Sequence, residues 1–304
     1  MDRFQEMQVF LAVADEQSFA AGARRLQMSP PTVTRAVAAL EERIGTLLLT
    51  RTTRSVHITE AGQRYAEDCR RILAELEEAE ESAAGSHAMP RGLLTLTAPV
   101  LFGELFVTPL LVAFLKQYPA VQVRALLLDR VVNMVDEGID VAVRIGNLPD
   151  TGLNALRLGE VRRVTCASPG FLREHGRPTH PEQLQQMPIV ASISSNLLTD
   201  WQFYDQDTPL SVLTQPRLTV TSNQAAINAA ALGWGLTRVL SYQVASKVAA
   251  NELEIVLERY EPPPLPVHVV YQGGSKVAAK VRAFVDFCAE HLSQQPALSN
   301  EKTG

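Results

Sequence analysis

Residues 18–62, SFAAGARRLQMSPPTVTRAVAALEERIGTLLLTRTTRSVHITEAG, constrain the fold more than any other stretch of the chain. Two short amphipathic helices are expected, separated by a tight break at Gln27-Met28-Ser29. An Arg- and Thr-rich hairpin pattern follows, and then a long helix begins. A winged helix-turn-helix needs that order, laying one helix in a DNA major groove and a β-ribbon along the backbone.

The details support it. A helix is expected over Arg3–Glu16, with Phe4, Met7, Phe10, Leu11 and Ala14 at helical spacing on one face. Ser18 is suited to cap a second helix that turns Phe19, Ala23 and Leu26 inward. Gly22 inside that helix costs about 1 kcal/mol relative to Ala, which a close helix crossing would explain. Ser29 caps a third helix, and Pro30 takes its first position, where a missing N–H does no harm. Val33, Val37, Leu40 and Ile44 form the inward stripe, and Gly45 ends the helix. Pro31, Arg35 and Ala38 then point outward, with Thr32 and Thr34 on the flanks. Short hydroxyl side chains, one Arg fork and a helix N-terminus suit base edges and phosphate. The candidate contacts on this helix are Ser29, Pro31, Thr32, Thr34 and Arg35. Residues 47–59 read as a two-strand wing whose Arg51, Thr53 and Arg54 supply phosphate contacts.

Composition matters here only through charge. The 304-residue chain has a net charge of −5, which by itself argues against a nucleic-acid partner. Between residues 18 and 59, however, Arg24, Arg25, Arg35, Arg43, Arg51 and Arg54 face only Glu41 and Glu42, a local balance of +4. From residue 60 to 81, three Arg meet eight acids, a balance of −5. The positive field is confined to one small module, and the acidic helix after it is repelled from phosphate.

These residues resemble the LysR-type transcriptional regulators. The resemblance runs through F-x-x-V-A-x-x-x-S-F at Phe10–Phe19, A-R-R-L at Ala23–Leu26 and S-P-P-T-V-T-R-A-V at Ser29–Val37. It continues through L-E-E-R-I-G at Leu40–Gly45, R-T-T-R-S-V at Arg51–Val56 and T-E-A-G at Thr59–Gly62, and the layout matches over nearly the whole length. The sequence departs from the family at Pro30, often Gln there; at Leu49, usually Phe; and at Gly22, commonly Ala.

From Glu60 to about Ala84 a long helix is expected, with Tyr65, Cys69, Ile72, Leu76, Ala79 and Ala83 spaced as a coiled-coil seam. A dimer would place paired recognition helices on half-sites one DNA turn apart; the alternative is a single helix packed on its own domain. The resemblance implies a homodimer through this helix, or a tetramer. Residues 82–92 read as a hinge.

Beyond it, strand-like runs at Leu93–Ala98, Val121–Leu128, Val141–Ile145, Val164–Ala167, Leu218–Thr221 and Val267–Tyr271 alternate with helical ones. The helical runs are Leu105–Tyr118, Val131–Glu137, Gln224–Leu232, Tyr242–Ala250 and Lys276–Leu292. This alternation predicts a largely parallel α/β sheet. The expected fold class is thus α plus α/β: a winged helix-turn-helix over 1–59, a dimerisation helix and hinge over 60–91, an α/β domain over 92–296 and a tail over 297–304. The resemblance implies two lobes like those of a periplasmic binding protein, lobe one at about 92–165 and 267–296, lobe two at about 166–266. The chain would cross between them near Cys166 and near Pro266, at a stiff Pro-rich run.

Ligands of such sheets sit beyond the carboxyl ends of strands, beside helix starts. The candidate effector residues are Pro99, Val100, Leu101 and Phe102 after the first strand, and Arg144, Ile145 and Gly146 after the third. Ser195, Asn196, Ser222, Asn223, Cys166 and Thr237 complete the set. Helix-start N–H groups would favour a carboxylate. A typical family member has a hydroxyl in the first of these loops, and Pro99–Phe102 carries none, so a more apolar pocket with an aromatic or partly apolar effector is expected, beside the anionic one that the helix starts favour. Alternatively these are ordinary loops and the site is vestigial, and Arg144 a structural ion pair.

No phosphate loop, nucleophile elbow, metal spacing or convincing triad is present, so neither an enzyme nor a cofactor is expected. A solute-binding protein with an incidental N-terminal module would need secretion, and the N-terminus has no signal pattern. With no run of 18 apolar residues and three dispersed cysteines, a cytoplasmic protein with reduced thiols is expected. The expected partners are double-stranded promoter DNA, a small-molecule effector, further copies of the chain and RNA polymerase.

Overall fold

The structure, a computed structural model, describes residues 1–51, 56–84, 89–148, 152–193, 200–273 and 277–298, leaving out the side chains of 51, 74, 75 and 77–84. The chain forms two compact units, Met1–Ala88 and Met89–Gly304.

The first unit contains α1 (Arg3–Glu16), α2 (Phe19–Arg25), α3 (Pro30–Ile44), the antiparallel strands β1 (Leu49–Arg51) and β2 (Val56–Ile58), and α4 (Glu60–Ala84). Each of the first three helices starts at a side chain that accepts a backbone N–H: Asp2 from Gln5, Ser18 from Ala21 and Ser29 from Thr32. Val9, Phe10, Val13, Ala23, Val33, Val37 and Leu40 form one core. Gly22 is the crossing point expected of it: a Cβ there would lie 3.1 Å from Val13. Two expectations are corrected. Phe4 and Ile44 are exposed, because the cores of α1 and α3 end one turn short of them. The seam of α4 also divides, since Tyr65 and Cys69 pack into this unit's own core, with the Tyr65 ring 5.7 Å from Phe10. Ala79 and Ala83 lie outside the described side chains.

The second unit opens with β3 (Gly92–Ala98), followed by one helical stretch made of α5 (Val100–Phe102), a wide π turn (Gly103–Val107) and α6 (Thr108–Gln117). Next come β4 (Val121–Leu127), β5 (Val141–Ile145), β6 (Asn154–Val161) and β7 (Arg163–Ala167). Then follow α7 (Pro169–His175), β8 (Val190–Ser192), β9 (Asp200–Asp205), β10 (Thr208–Leu213), β11 (Leu218–Val220) and α8 (Asn223–Ala231). The order ends with β12 (Thr237–Leu240), α9 (Ser241–Ala249), β13 (Glu254–Val256), β14 (Leu265–Tyr271) and α10 (Ala279–Leu292). Lobe one is a five-stranded sheet in the order β4-β3-β5-β14-β6. Lobe two carries the antiparallel sheet β12-β7-β13, the parallel pair β8 and β11, and the β9–β10 hairpin.

The sheets are mixed rather than largely parallel. β3, β4 and β5 run parallel, but β14 returns from lobe two and lies antiparallel between β5 and β6. The crossings also move. Only Arg162 separates β6 from β7, so the first crossing is there and Cys166 lies inside a strand, fully buried. The second is made by Pro262–Pro264, because Leu265 and Pro266 already pair with Val161 and Glu160. Residues 131–137 are turns, not a helix. The Asn133 side chain accepts the Val135 N–H at 3.1 Å, a local bond that competes with helix formation. The stretch 100–117 is, among the described residues, the one helix long and apolar enough to cross a membrane by length and composition. Its Leu101, Phe102, Val107, Leu110, Leu111 and Phe114 lie in the main core of this unit.

Candidate DNA-binding face and effector cleft

The turn before α3 is made by Gln27, in the left-handed region at φ 53°, and the Met28 N–H closes it on the Ala23 carbonyl at 2.9 Å. At the start of α3 the Ser29 and Thr32 hydroxyls lie 2.7 Å apart. Ser29, Pro31 and Arg35 are exposed, and Thr32 and Thr34 are half-buried. Pro31 and Arg35 therefore lie on the exposed side of the first turns of α3, with Ser29 capping it and Thr32 and Thr34 on the flanks. Arg35 rests its Nε on the Pro31 carbonyl at 3.4 Å and, among the described residues, makes no ion pair. Several other basic residues of this unit are already paired. Arg25 pairs with Asp15 at 3.4 Å, Arg43 with Glu6 at 2.8 Å and Arg70 with Asp15 at 2.5 Å. The acids of α1 thus occupy part of the basic set and leave Arg35 available to an outside anion. Thr53, Arg54 and the Arg51 side chain lie outside the described residues.

In the second unit, β3 and β5 are adjacent and parallel, so Pro99–Val100 and Arg144–Gly146 follow the same edge of one sheet. Likewise β8 and β11 bring Ser222-Asn223 to the end of the lobe-two pair that leads to residue 193; Ser195 and Asn196 lie outside the described residues. Four other candidates are taken up by packing. Leu101 and Phe102 are buried, and the Phe102 ring lies 4.9 Å from Phe106 and 5.4 Å from Tyr242. Cys166 and Thr237 face each other in register on β7 and β12, both without exposure to solvent beyond a trace. Burial pushes the Cys166 thiol up to about 12, so it is held in its protonated, unreactive form. The Val100 N–H is also engaged, donating to Asp129 Oδ1 at 3.0 Å. Ser222 caps α8 by accepting the Ala225 N–H at 3.1 Å.

Arg144 remains the cation at this edge. It is half-buried, its Nη2 reaches the Val132 carbonyl at 3.4 Å, and among the described residues it has no ion-pair partner. Burial lowers its pKa, and nearby Glu137, which only partly offsets this, is held by Arg130 through two bonds of 2.9 and 2.7 Å.

Two family descriptions together span nearly the whole chain. Residues 4–63 match the bacterial regulatory helix-turn-helix protein, lysR family, and residues 87–293 match the LysR substrate binding domain. The chain belongs to the LysR family of transcriptional regulators. Among its relatives, an HTH-type transcriptional regulator of Xanthomonas campestris pv. campestris is 36% identical over 94% of this chain and 84% of its own length. The HTH-type transcriptional regulator DmlR of Escherichia coli is 32% identical over 95% of this chain and 94% of its own. The solved structure of CrgA, a LysR-type transcriptional regulator from Neisseria meningitidis, is 29% identical. It covers 95% of this chain and 98% of its own with a TM-score of 0.61.

Several supports of the LysR-type site were not visible as contacts in the sequence. Glu41 Oε1 accepts the Leu48 and Leu49 N–H groups at 2.8 and 2.9 Å, which sets where the wing leaves α3. Thr59 Oγ1 accepts the Gly62 N–H at 2.9 Å and lies 2.9 Å from the Leu47 carbonyl, tying α4 to the wing. Gly62 is required there, since a Cβ would stand 2.1 Å from the Leu48 carbonyl oxygen. The T-E-A-G motif signalled both residues without revealing their partners. Asp129 had no local signal; it reaches α5 from the end of the neighbouring strand.

Proposed function

We propose that this LysR-type regulator reads its operator with the N-terminal face of α3 and answers to a small anionic or aromatic effector held between the two lobes. The available guanidinium of Arg35, beside the Ser29, Pro31, Thr32 and Thr34 cluster, carries the DNA reading. Arg51, Thr53 and Arg54 of the wing add phosphate contacts that position the module without selecting sequence. On the effector side, Arg144 supplies the positive charge. The engaged Val100 N–H supplies none, so a carboxylate would be met by a side chain rather than by a helix start. Pro99, Val100, Ile145, Gly146, Ser195, Asn196, Ser222 and Asn223 complete the lining, while Leu101, Phe102, Cys166 and Thr237 shape it from within the core.

The protein acts as a homodimer or tetramer in the cytoplasm, contacts RNA polymerase at the promoter and catalyses nothing. The effector works by preferring one arrangement of lobes and subunits, which alters half-site spacing or DNA bend. Footprinting of the purified protein on its own genomic DNA at stated salt tests this reading. Protection of a few dyad sites, one beside its own gene, is expected. Uniform, salt-sensitive binding without a preferred site would mean that α3 does not read bases. Turnover of a small molecule by the second unit would remove the non-enzymatic reading.

A further inference from the structure

Lobe two buries a guanidinium whose hydrogen bonds are not all made. Arg238 on β12 is 8% exposed, and among the described residues its Nε and Nη1 have no hydrogen-bond partner. Its Nη2 donates to the Gln202 carbonyl on β9, and the guanidinium lies 4.2 Å from the Phe203 ring centre and 5.8 Å from that of Trp201. The plane of the fork is therefore held by protein while two of its donors, shielded from solvent, have no acceptor among the described residues. Arg163 is its diagonal neighbour on the same face of the β7–β12 pair, since Arg238 stands opposite Thr165 and Arg163 opposite Leu240. Burial lowers the pKa of both guanidinium groups, and the charge of Arg163 lowers that of Arg238 further. The nearby half-buried carboxylate, Glu261, is engaged by Arg162 at 3.1 Å and only partly offsets the effect of burial on Arg238. Glu258, 3.7 Å from Arg162, is mostly exposed.

Buried guanidinium donors without acceptors are rare in folded proteins, and an ion is one of the few partners that restores them. We propose that the interior of lobe two holds one compact monoanion, a halide or the carboxylate of a small organic acid, against Nε and Nη1 of Arg238, with Arg163 beside it. This site is separate from the interlobe cleft and does not depend on an effector there. It would link the packing of the β9–β10 hairpin to the anion supply.

Thermal unfolding of the full chain, at constant ionic strength with sulfate replaced by bromide or acetate, is the test. A saturable rise in Tm of about 2–4 °C is expected, over the general salt trend. It should disappear in Arg238→Met, which keeps the stacking volume, and in Arg163→Met. Should Arg238→Met fail to fold, crystals of the unaltered full chain grown in bromide give the same information. An anomalous peak within hydrogen-bond reach of Arg238 Nη1 supports the site. Loss of that peak when acetate is added marks it as a carboxylate site; its persistence marks it as a halide site. A water molecule in that position, or an equal salt response in all three proteins, overturns the proposal.

Discussion

Two helix starts of this protein, at α3 and at α5, are built in opposite ways. At α3 the first turn is capped by Ser29, its hydroxyls face solvent, and Arg35 stands one turn on with no carboxylate among the described residues. At α5 no side chain of the preceding residue caps the helix; Asp129 accepts the Val100 N–H from across the sheet, and the next side chains go into the core. One helix start is therefore satisfied locally and presented outward. The other is satisfied at long range and closed. A helix N-terminus becomes a recognition element only when its neighbours leave it open, and in the proposed reading of the second unit the cation Arg144 takes that role.

Arg35→Ala should break the open side of this comparison most severely. Loss of a base-reading guanidinium costs about 1–3 kcal/mol at the preferred operator and little on random DNA, which competition binding at fixed salt measures. Equal weakening on both DNAs would make Arg35 a phosphate contact. On the closed side, Asp129→Ala leaves the Val100 N–H without its acceptor. The second unit should lose about 1–2 kcal/mol while the DNA-binding unit keeps its own transition, as followed by denaturant unfolding with a probe in each unit. Ser29→Ala should do the reverse, destabilising the first unit by about 1 kcal/mol and leaving the second unchanged. If either substitution moved both units alike, the two helix starts would not be independent.

The smallest effect concerns pH. Burial, with a smaller contribution from Arg157, lowers the pKa of His268 on β14, and its Nδ1 has no hydrogen-bond partner among the described residues. The folded state thus prefers the neutral ring. Its contribution is present above the unfolded value of about 6.5 and is lost as pH falls through the lower folded value. The Tm of the second unit should decline more steeply on acidification than that of His268→Gln; parallel curves would remove this residue from the account.

The first unit was legible almost residue by residue. Ser18, Ser29 and Gly45 mark helix ends through bonds within one turn of chain, and such bonds are written in adjacent residues. Its errors, Phe4, Ile44 and the first two positions of the α4 seam, arose where periodicity names an apolar face but not what covers it. The second unit was legible as alternating strands and helices, yet β6, β8, β9, β10, β12, β13 and α7 went unread. Arg163 and Arg238 were missed as well, although 75 residues apart in sequence they are neighbours across one strand pair.

What the sequence by itself determined is the set of local choices: where helices begin, which face of α3 is polar, where charge is positive, and which family the chain resembles. The tertiary structure alone decided how those choices are spent. It tied Arg25, Arg43 and Arg70 to the acids of α1 and left Arg35 open. It returned β14 between β5 and β6, closed the start of α5 with Asp129, and set Arg238 beside Arg163 inside lobe two. The physical reason is range. Caps and turns act over three or four residues, whereas strand order and the pairing of buried charges depend on segments that meet only after the chain has folded.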